Sequence, residues 1–166
     1  MDSIAHCPPL VGLHDWYRQA RARLDGPPSR KDLDPAGFKF VLGRELLIEY
    51  HRDGAAGRAR YRLVGSEVNE RGGIGEQSGR WLDETLRPED ADRLTRDVAA
   101  VLDAGAPRYD EHDIVRLDGL PMRFGRLLLP LRRLPGEADM VLAADCYLAV
   151  GSIELTCPAL DSLWAG

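Results

Sequence analysis

The first periodic pattern of apolar positions lies near the N-terminus. Its members recur at helical spacing, with arginines between them, as in an amphipathic helix with one apolar stripe. They are Leu13, Trp16, Tyr17, Ala20 and Leu24. The pattern predicts a helix over residues 13–25, ended by Gly26-Pro27-Pro28, because proline removes a backbone donor. A polar linker follows, and Asp34-Pro35 predicts the capped start of a short helix over about residues 36–42.

Alternation of apolar and polar residues then predicts a first hairpin. Residues 46–51 and 58–64 are strand-like, with turn residues between them. In the second strand, Tyr61 and Leu63 are expected to face the core, with the intervening arginines facing solvent. In this hairpin one face is expected to be buried and the other exposed to solvent.

A long amphipathic helix separates this hairpin from three more strands. The helix is predicted over residues 89–104, with acids in its first turn as the helix dipole favours. The strands are predicted over residues 109–117, 122–131 and 140–148. This order predicts an α+β fold with a five-stranded antiparallel sheet and helices on one face. The leading helix is left to cover the other face or a second subunit.

Length and charge narrow the protein class. The 166 residues suit one domain, expected over residues 13–148, with tails over residues 1–12 and 149–166. The net charge of −5 opposes binding to nucleic acid or to an anionic membrane. No signal peptide is visible, and the aliphatic runs are too short to span a bilayer. A cytoplasmic protein is expected.

Several short phrases resemble those of PAS domains, and they occur in the same order. They are Arg87-Pro88-Glu89-Asp90, Gly105-Ala106-Pro107 and Arg116-Leu117-Asp118-Gly119. A second set is similar to a stand-alone proteobacterial PAS subfamily. It comprises Trp16-Tyr17, Asp32-Leu33-Asp34-Pro35, Tyr61-Arg62-Leu63-Val64-Gly65-Ser66, Ser78-Gly79-Arg80 and Leu129-Pro130-Leu131. Two positions depart from that subfamily, where Gly65-Ser66 is usually Gly-Thr and Ser78-Gly79 is usually Thr-Gly.

This resemblance implies a regulatory sensor or protein-interaction module, not an enzyme. Such a module binds a small ligand or a partner protein and acts through a separate output protein. A bound ligand would shift the population of conformations and so alter a partner surface. Two alternatives stay open: a cone-shaped α+β enzyme of the ketosteroid-isomerase type, and a scaffolding domain with a packed, ligand-free interior.

The resemblance also bears on cofactors. Flavin photosensors of this fold attach flavin to a cysteine before the long helix, and residues 66–105 contain none. Haem versions place a histidine on the long helix, and residues 89–104 contain none. Both features argue against covalent flavin and haem. A noncovalent flavin or another small ligand remains compatible with an apolar cavity.

Candidate ligand-binding side chains lie on the predicted strands and the long helix. They are Tyr61, Leu63, Trp81, Val98, Leu102, Met122 and Arg123. Arg123 and Arg126 should face opposite sides of their strand, and one of them could meet a ligand carboxylate. The alternatives are that the apolar candidates only fill the core and that the arginines pair with acids at the surface.

The remaining candidates concern metals, catalysis and assembly. Asp110 and His112 share a face, but no third ligand lies near, so no metal site is expected. Ser78 is one position off the nucleophile-elbow spacing, so no catalytic residue is predicted. The apolar stripe of the leading helix (Leu13, Trp16, Tyr17, Ala20 and Leu24) is the predicted interface of a homodimer or partner complex.

Overall fold

The computed structural model describes residues 2–53 and 57–156. Within them lie the α-helices α1 (Pro8–Arg23), α2 (Ser66–Gly72) and α3 (Pro88–Ala104). The strands are β1 (Glu45–His51), β2 (Arg58–Val64), β3 (Arg108–Val115), β4 (Pro121–Pro130), β5 (Asp139–Val150) and β6 (Ile153–Glu154). All strand pairs are antiparallel, in the order β2-β1-β5-β4-β3, with β6 beside the end of β5.

This strand order confirms the predicted α+β fold. The hairpin β1–β2 comes first, α3 then crosses the sheet, and β3, β4 and β5 follow. β5 returns to the centre and pairs with both β1 and β4. Because a hairpin precedes the long helix, the chain does not have the order of the cone-shaped enzyme fold, which places its longer helices before one continuous sheet.

One face of the sheet packs against α2 and α3. The apolar stripe of α3 is buried as predicted for Ala91, Leu94, Val98 and Val101. It meets strand residues that alternate toward the same side, including Ile48, Tyr61 and Leu128. Leu102 lies at the margin of this cluster. This core joins the long helix to four of the strands.

The opposite face packs against α1, which begins at Pro8 instead of the predicted residue 13. Prolines fit the first turn of a helix, where their missing N–H would have no partner. Ile4, Cys7 and Leu10 are buried beside the sheet, so residues expected to form a tail belong to the core. The helices therefore occupy both faces of the sheet, and α1 covers the sheet of its own chain.

Two polar contacts hold α1 in place. The Tyr17 hydroxyl donates to the Pro130 carbonyl oxygen across 2.6 Å in a buried contact. The Arg21 guanidinium donates to the Gly105 carbonyl oxygen, just beyond α3, across 2.8 Å. The first contact fixes the helix on the sheet, and the second ties it to the end of the long helix.

The predicted short helix over residues 36–42 is instead two 3-10 turns, Pro35–Gly37 and Lys39–Val41. The predicted cap is present, because the Asp34 carboxylate accepts from the Ala36 N–H across 3.0 Å. Phe38 breaks the run with φ −139°. Its ring is buried and packs edge-on against Trp16, with 5.0 Å between centroids, so burial of one ring outweighs a continuous helix.

A β-bulge in β2 corrects the predicted alternation. Leu47 pairs with Leu63 and Ile48 pairs with Tyr61, so Arg62 is an extra residue on β2. Tyr61 and Val64 consequently face the core, whereas Leu63 is 45% exposed. A bulge reverses the facing of residues beyond it, and simple alternation does not reveal it.

Candidate functional site

A cavity lies between the sheet and α3, closed at one end by α2 and the segment that follows it. The space open to a water-sized sphere is about 60 Å³. Alternate residues of β4 and β5 form its floor, and Leu94 of α3 and Val68 of α2 form part of its wall. The floor residues are Met122, Phe124, Arg126, Asp145 and Tyr147.

A buried ion pair occupies the floor of this cavity. The Arg126 side chain is 8% exposed and the Asp145 side chain 2%. Arg126 Nε and Nη2 donate to the two Asp145 oxygens, each across 2.6 Å, a bidentate geometry of the strong kind. Burial alone would lower the pKa of Arg126, but the Asp145 carboxylate raises it above the ordinary value. The cavity floor therefore contains a fixed charge pair.

The phenols around this pair remain protonated. Burial raises the pKa of Tyr61, and burial followed by the Asp145 charge raises the pKa of Tyr147 well above its usual value. The Arg126 charge acts to lower the pKa of Tyr61, but burial outweighs it. Both phenols can therefore act as neutral donors or acceptors beside the ion pair.

His112 presents a neutral imidazole to the cavity. Burial, followed by the positive charges of Arg126 and Arg93, lowers the pKa of His112 to about 4. The ring lies 5.4 Å from the Phe124 ring, centroid to centroid. At neutral pH it adds no charge to the site.

Gln77 carries a polar atom without a partner. The residue is 4% exposed and lines the cavity. Its backbone N–H donates to the Asn69 side-chain oxygen across 3.0 Å, whereas its side-chain Nε2 has no hydrogen-bond partner among the described residues. Gly72 makes room for this amide, because a Cβ at position 72 would lie 2.4 Å from Nε2.

Arginines dominate the charged residues at the cavity mouth. Arg93 pairs with Asp90 across 2.6 Å, and Arg116 pairs with Asp118. Arg87 donates to the Arg116 carbonyl oxygen across 3.4 Å. No carboxylate of the described residues forms an ion pair with Arg87. The lining therefore includes one arginine, Arg87, that forms no ion pair with an acid of the described residues.

The chain matches a known protein family over most of its length. A family model described as PAS domain matches residues 7–144. The chain belongs to the PAS domain family. Members of this family are sensory and regulatory modules. Comparison with curated proteins gives no match.

Several solved structures are similar to this PAS domain. A domain of an HTR-like protein from Haloarcula marismortui has a TM-score of 0.49 at 11% identity, over 63% of this chain and 98% of that one. The PAS domain of Bordetella pertussis BvgS has a TM-score of 0.45 at 15% identity, over 64% and 78%. A light-oxygen-voltage domain studied with a flavin analogue gives 0.45 at 17% identity, over 64% and 78%. At this similarity, these structures do not indicate what the chain binds.

The predicted ligand-binding residues fall into three groups in this PAS domain. Tyr61 and Met122 line the cavity. Val98 is fully buried in the core behind it, and Leu102 lies beside that core. Leu63, Trp81 and Arg123 lie outside it.

Each residue outside the cavity has a physical reason for its position. The β2 bulge turns Leu63 toward solvent. The Trp81 backbone bridges Arg60 at the outer edge of β2, and the Arg58 guanidinium lies 4.1 Å above the Trp81 ring. Arg123 is exposed on the face of β4 opposite Arg126, as alternation requires. Of the two arginines on this strand, Arg126 reaches the cavity.

The sequence analysis did not assign Asp145, His112 or Gln77 to a ligand-binding cavity. A signal for Asp145 was present, because it is the one acid in the apolar run Met140–Leu148, and a buried carboxylate requires a partner. Arg126 on the neighbouring strand is that partner. Gln77 lies among polar loop residues and carries no pattern that distinguishes it.

The predicted interface residues of α1 lie mostly inside the chain. Leu13, Tyr17 and Ala20 are at most 2% exposed and pack against the sheet of their own chain. Trp16 is half-buried against Phe38, and Leu24 is 37% exposed. The stripe packs here because the sheet has an apolar second face, and this burial removes three of the five residues from the surface.

In residues 2–53 and 57–156, no three His, Cys, Asp or Glu side chains converge as metal ligands would. Over the same residues, no helix combines the length and the apolar character needed to cross a membrane.

Proposed function

We propose that this PAS domain is a regulatory module that binds a small molecule in the cavity between α3 and the sheet and acts through a separate output protein. The observation that carries the proposal is the buried Gln77 Nε2, which has no hydrogen-bond partner among the described residues and lines the same cavity as the Arg126–Asp145 pair. A buried polar atom without a partner is costly, and a bound ligand removes that cost. A domain selected only for packing would gain from an apolar residue there.

Binding would act through the elements that line the cavity. A ligand that contacts β4, β5 and α3 favours the arrangement in which those contacts form, and the population shifts toward it. The rim of the cavity includes Leu117 and Val115, whose side chains are 50% and 38% exposed beside β3. A change at this rim alters the surface offered to an output protein.

Native mass spectrometry of freshly purified protein tests this proposal. The protein is measured as purified and after incubation with the small-molecule fraction of a cell extract. Ile114 lines the cavity, so Ile114→Trp should fill it. Ile153 is 64% exposed and lies elsewhere, so Ile153→Trp is the matched control. We expect a small-molecule adduct on wild type and on Ile153→Trp, and none on Ile114→Trp.

The absence of an adduct from wild type in both conditions would contradict the proposal and favour a ligand-free scaffolding domain. The same spectra report the number of subunits. We propose a homodimer, and α1 still offers Leu24 and half-buried Trp16 to a second copy. A monomer at high micromolar concentration would contradict it.

A further inference from the structure

Resting on the proposed function, we infer that the ligand is a short-chain aliphatic carboxylate whose oxygens accept a hydrogen bond from the Gln77 amide. Its hydrocarbon part would lie on the apolar lining of the cavity. Three independent features of the cavity favour such a carboxylate: an unused hydrogen-bond donor, an excess of positive charge and a small volume.

The unused donor calls for an oxygen acceptor. Gln77 Nε2 is the amide donor of a residue that is 4% exposed, and no described residue accepts from it. Gly72 leaves space for the amide in this position, since a Cβ at position 72 would lie 2.4 Å from Nε2. Because both residues line the cavity, a ligand inside it can supply the missing acceptor.

The charges around the cavity favour an anion as that acceptor. Four arginines line it (Arg87, Arg93, Arg116 and Arg126), against two aspartates, Asp90 and Asp145. Asp118 pairs with Arg116 from just outside the lining. One positive charge therefore remains, and the neutral His112 neither adds to it nor offsets it. Hydrogen bonds to a charged acceptor are stronger than those to a neutral one.

The volume and the apolar lining limit the rest of the ligand. Six residues supply the apolar lining: Val68, Leu86, Leu94, Ile114, Met122 and Phe124. The space open to the centre of a water-sized sphere is about 60 Å³. This is less than the engineered apolar cavity of about 150 Å³ that accepts benzene. The volume therefore favours a short aliphatic chain over an aromatic ring.

Methionine methyl NMR offers a direct test with an internal control. The chain has three methionines, Met1, Met122 and Met140. Met122 lines the cavity, whereas Met140 is buried on the α1 face of the sheet. Protein labelled with ¹³C at the methionine methyls is titrated with butyrate and with its neutral isostere butyramide. We expect a saturable shift of Met122 with butyrate, an unchanged Met140, and binding of butyramide weaker by about tenfold.

Substitution of Gln77 tests the role of the amide. Gln77→Glu keeps the shape but replaces the donor by an acceptor that repels an anion. We expect it to lose butyrate affinity by about tenfold or more and to favour butyramide, whose NH₂ can donate to the new carboxylate. Glu70→Gln, an exposed position on α2, is the matched control and should bind butyrate as wild type does. An unchanged Met140 signal shows that each variant is folded.

The outcomes separate this inference from the proposed function. Equal binding of butyrate and butyramide, or undiminished butyrate binding by Gln77→Glu, would overturn the carboxylate assignment and leave the binding cavity in place. A retained ligand that contains no carboxylate would do the same. If Met122 responds to neither compound and no adduct appears by mass spectrometry, both the carboxylate and the cavity as a binding site are wrong.

Discussion

The Arg126–Asp145 pair is the most consequential side-chain arrangement in the sheet. Removing two charges from water costs several kcal/mol for each ion, and only close, well-directed hydrogen bonds offset that cost. Here both oxygens of Asp145 are engaged at 2.6 Å, and the guanidinium also lies 4.9 Å from the Phe124 ring centroid. Each partner is stable in the interior only because the other is present.

Loss of one partner should therefore cost far more than loss of both. We expect Arg126→Met to lower the free energy of unfolding by about 3–5 kcal/mol, because it leaves Asp145 charged and unpaired. The double variant Arg126→Met/Asp145→Leu should recover most of this loss. Urea unfolding followed by circular dichroism measures both.

Arg123→Met is the matched control for this pair, because Arg123 is exposed on the same strand. It should change stability by less than about 0.5 kcal/mol. A double variant no more stable than Arg126→Met would contradict the claim that the loss comes from the unpaired Asp145 carboxylate.

At the scale of elements, α1 shows what the sequence could and could not predict. Its apolar stripe identified a helix, since helical spacing of apolar residues is a strong signal. Pro8 and Pro9 concealed the start, because prolines end helices and also fit their first turns. The surface that the stripe covers depends on a sheet distant in sequence. Periodicity therefore predicted burial without predicting that the chain's own sheet provides it.

The strands also include features that the sequence predicted and features that it did not. Five strands and the long helix were predicted because turn residues and periodic patterns mark them. The β2 bulge was missed because one inserted residue leaves no trace in composition, and the exposed position of Leu63 was missed with it. Tyr61 and Met122, which were among the predicted ligand-binding residues, line the cavity. Gln77 also lines it but was not among them, because loop positions are set by packing.

The docking of α1 can be tested through Tyr17. We expect Tyr17→Phe to destabilise the protein by about 1–3 kcal/mol, because it leaves the buried Pro130 carbonyl oxygen without its donor. Gln19→Ala, an exposed position on the same helix, should change stability by less than about 0.5 kcal/mol. Equilibrium unfolding in urea measures both.

Protein concentration distinguishes docking within the chain from exchange between chains. Amide hydrogen exchange of α1 should be equally slow at low and high micromolar protein, because α1 packs on the sheet of its own chain whether or not two copies associate. Faster exchange of α1 on dilution would show that α1 packs on a neighbouring subunit instead.

At the scale of the whole molecule, acid should destabilise the domain through the cavity. The pKa of His112 in the folded protein is about 4, against about 6.5 for a free histidine. Between these values the unfolded chain binds a proton that the folded chain excludes. The contribution of His112 to stability is therefore complete above about pH 6.5 and is lost as the pH falls toward 4.

We expect His112→Gln to flatten this part of the stability profile between about pH 7 and pH 4. Buried Asp90 and Asp97 act in the opposite direction, because burial raises the pKa of each. The quantity to compare is therefore the difference between wild type and variant at each pH, measured by urea unfolding. His14→Gln, on the α1 side, is the control, and a slope equal to that of wild type in His112→Gln would contradict the prediction.

The central position of β5 has a mechanical consequence. Asp145 and Tyr147 point into the cavity, while the residues between and beside them, Ala144, Cys146 and Leu148, pack beneath α1. The backbone of β5 thus carries side chains of both the cavity side and the α1 side of the sheet. Close-packed interiors transmit small displacements instead of absorbing them. A molecule in the cavity that displaces β5 must also disturb α1 on the opposite face of the sheet. The sheet is therefore the shortest route by which a ligand in the cavity could change the surface on the far side of the domain.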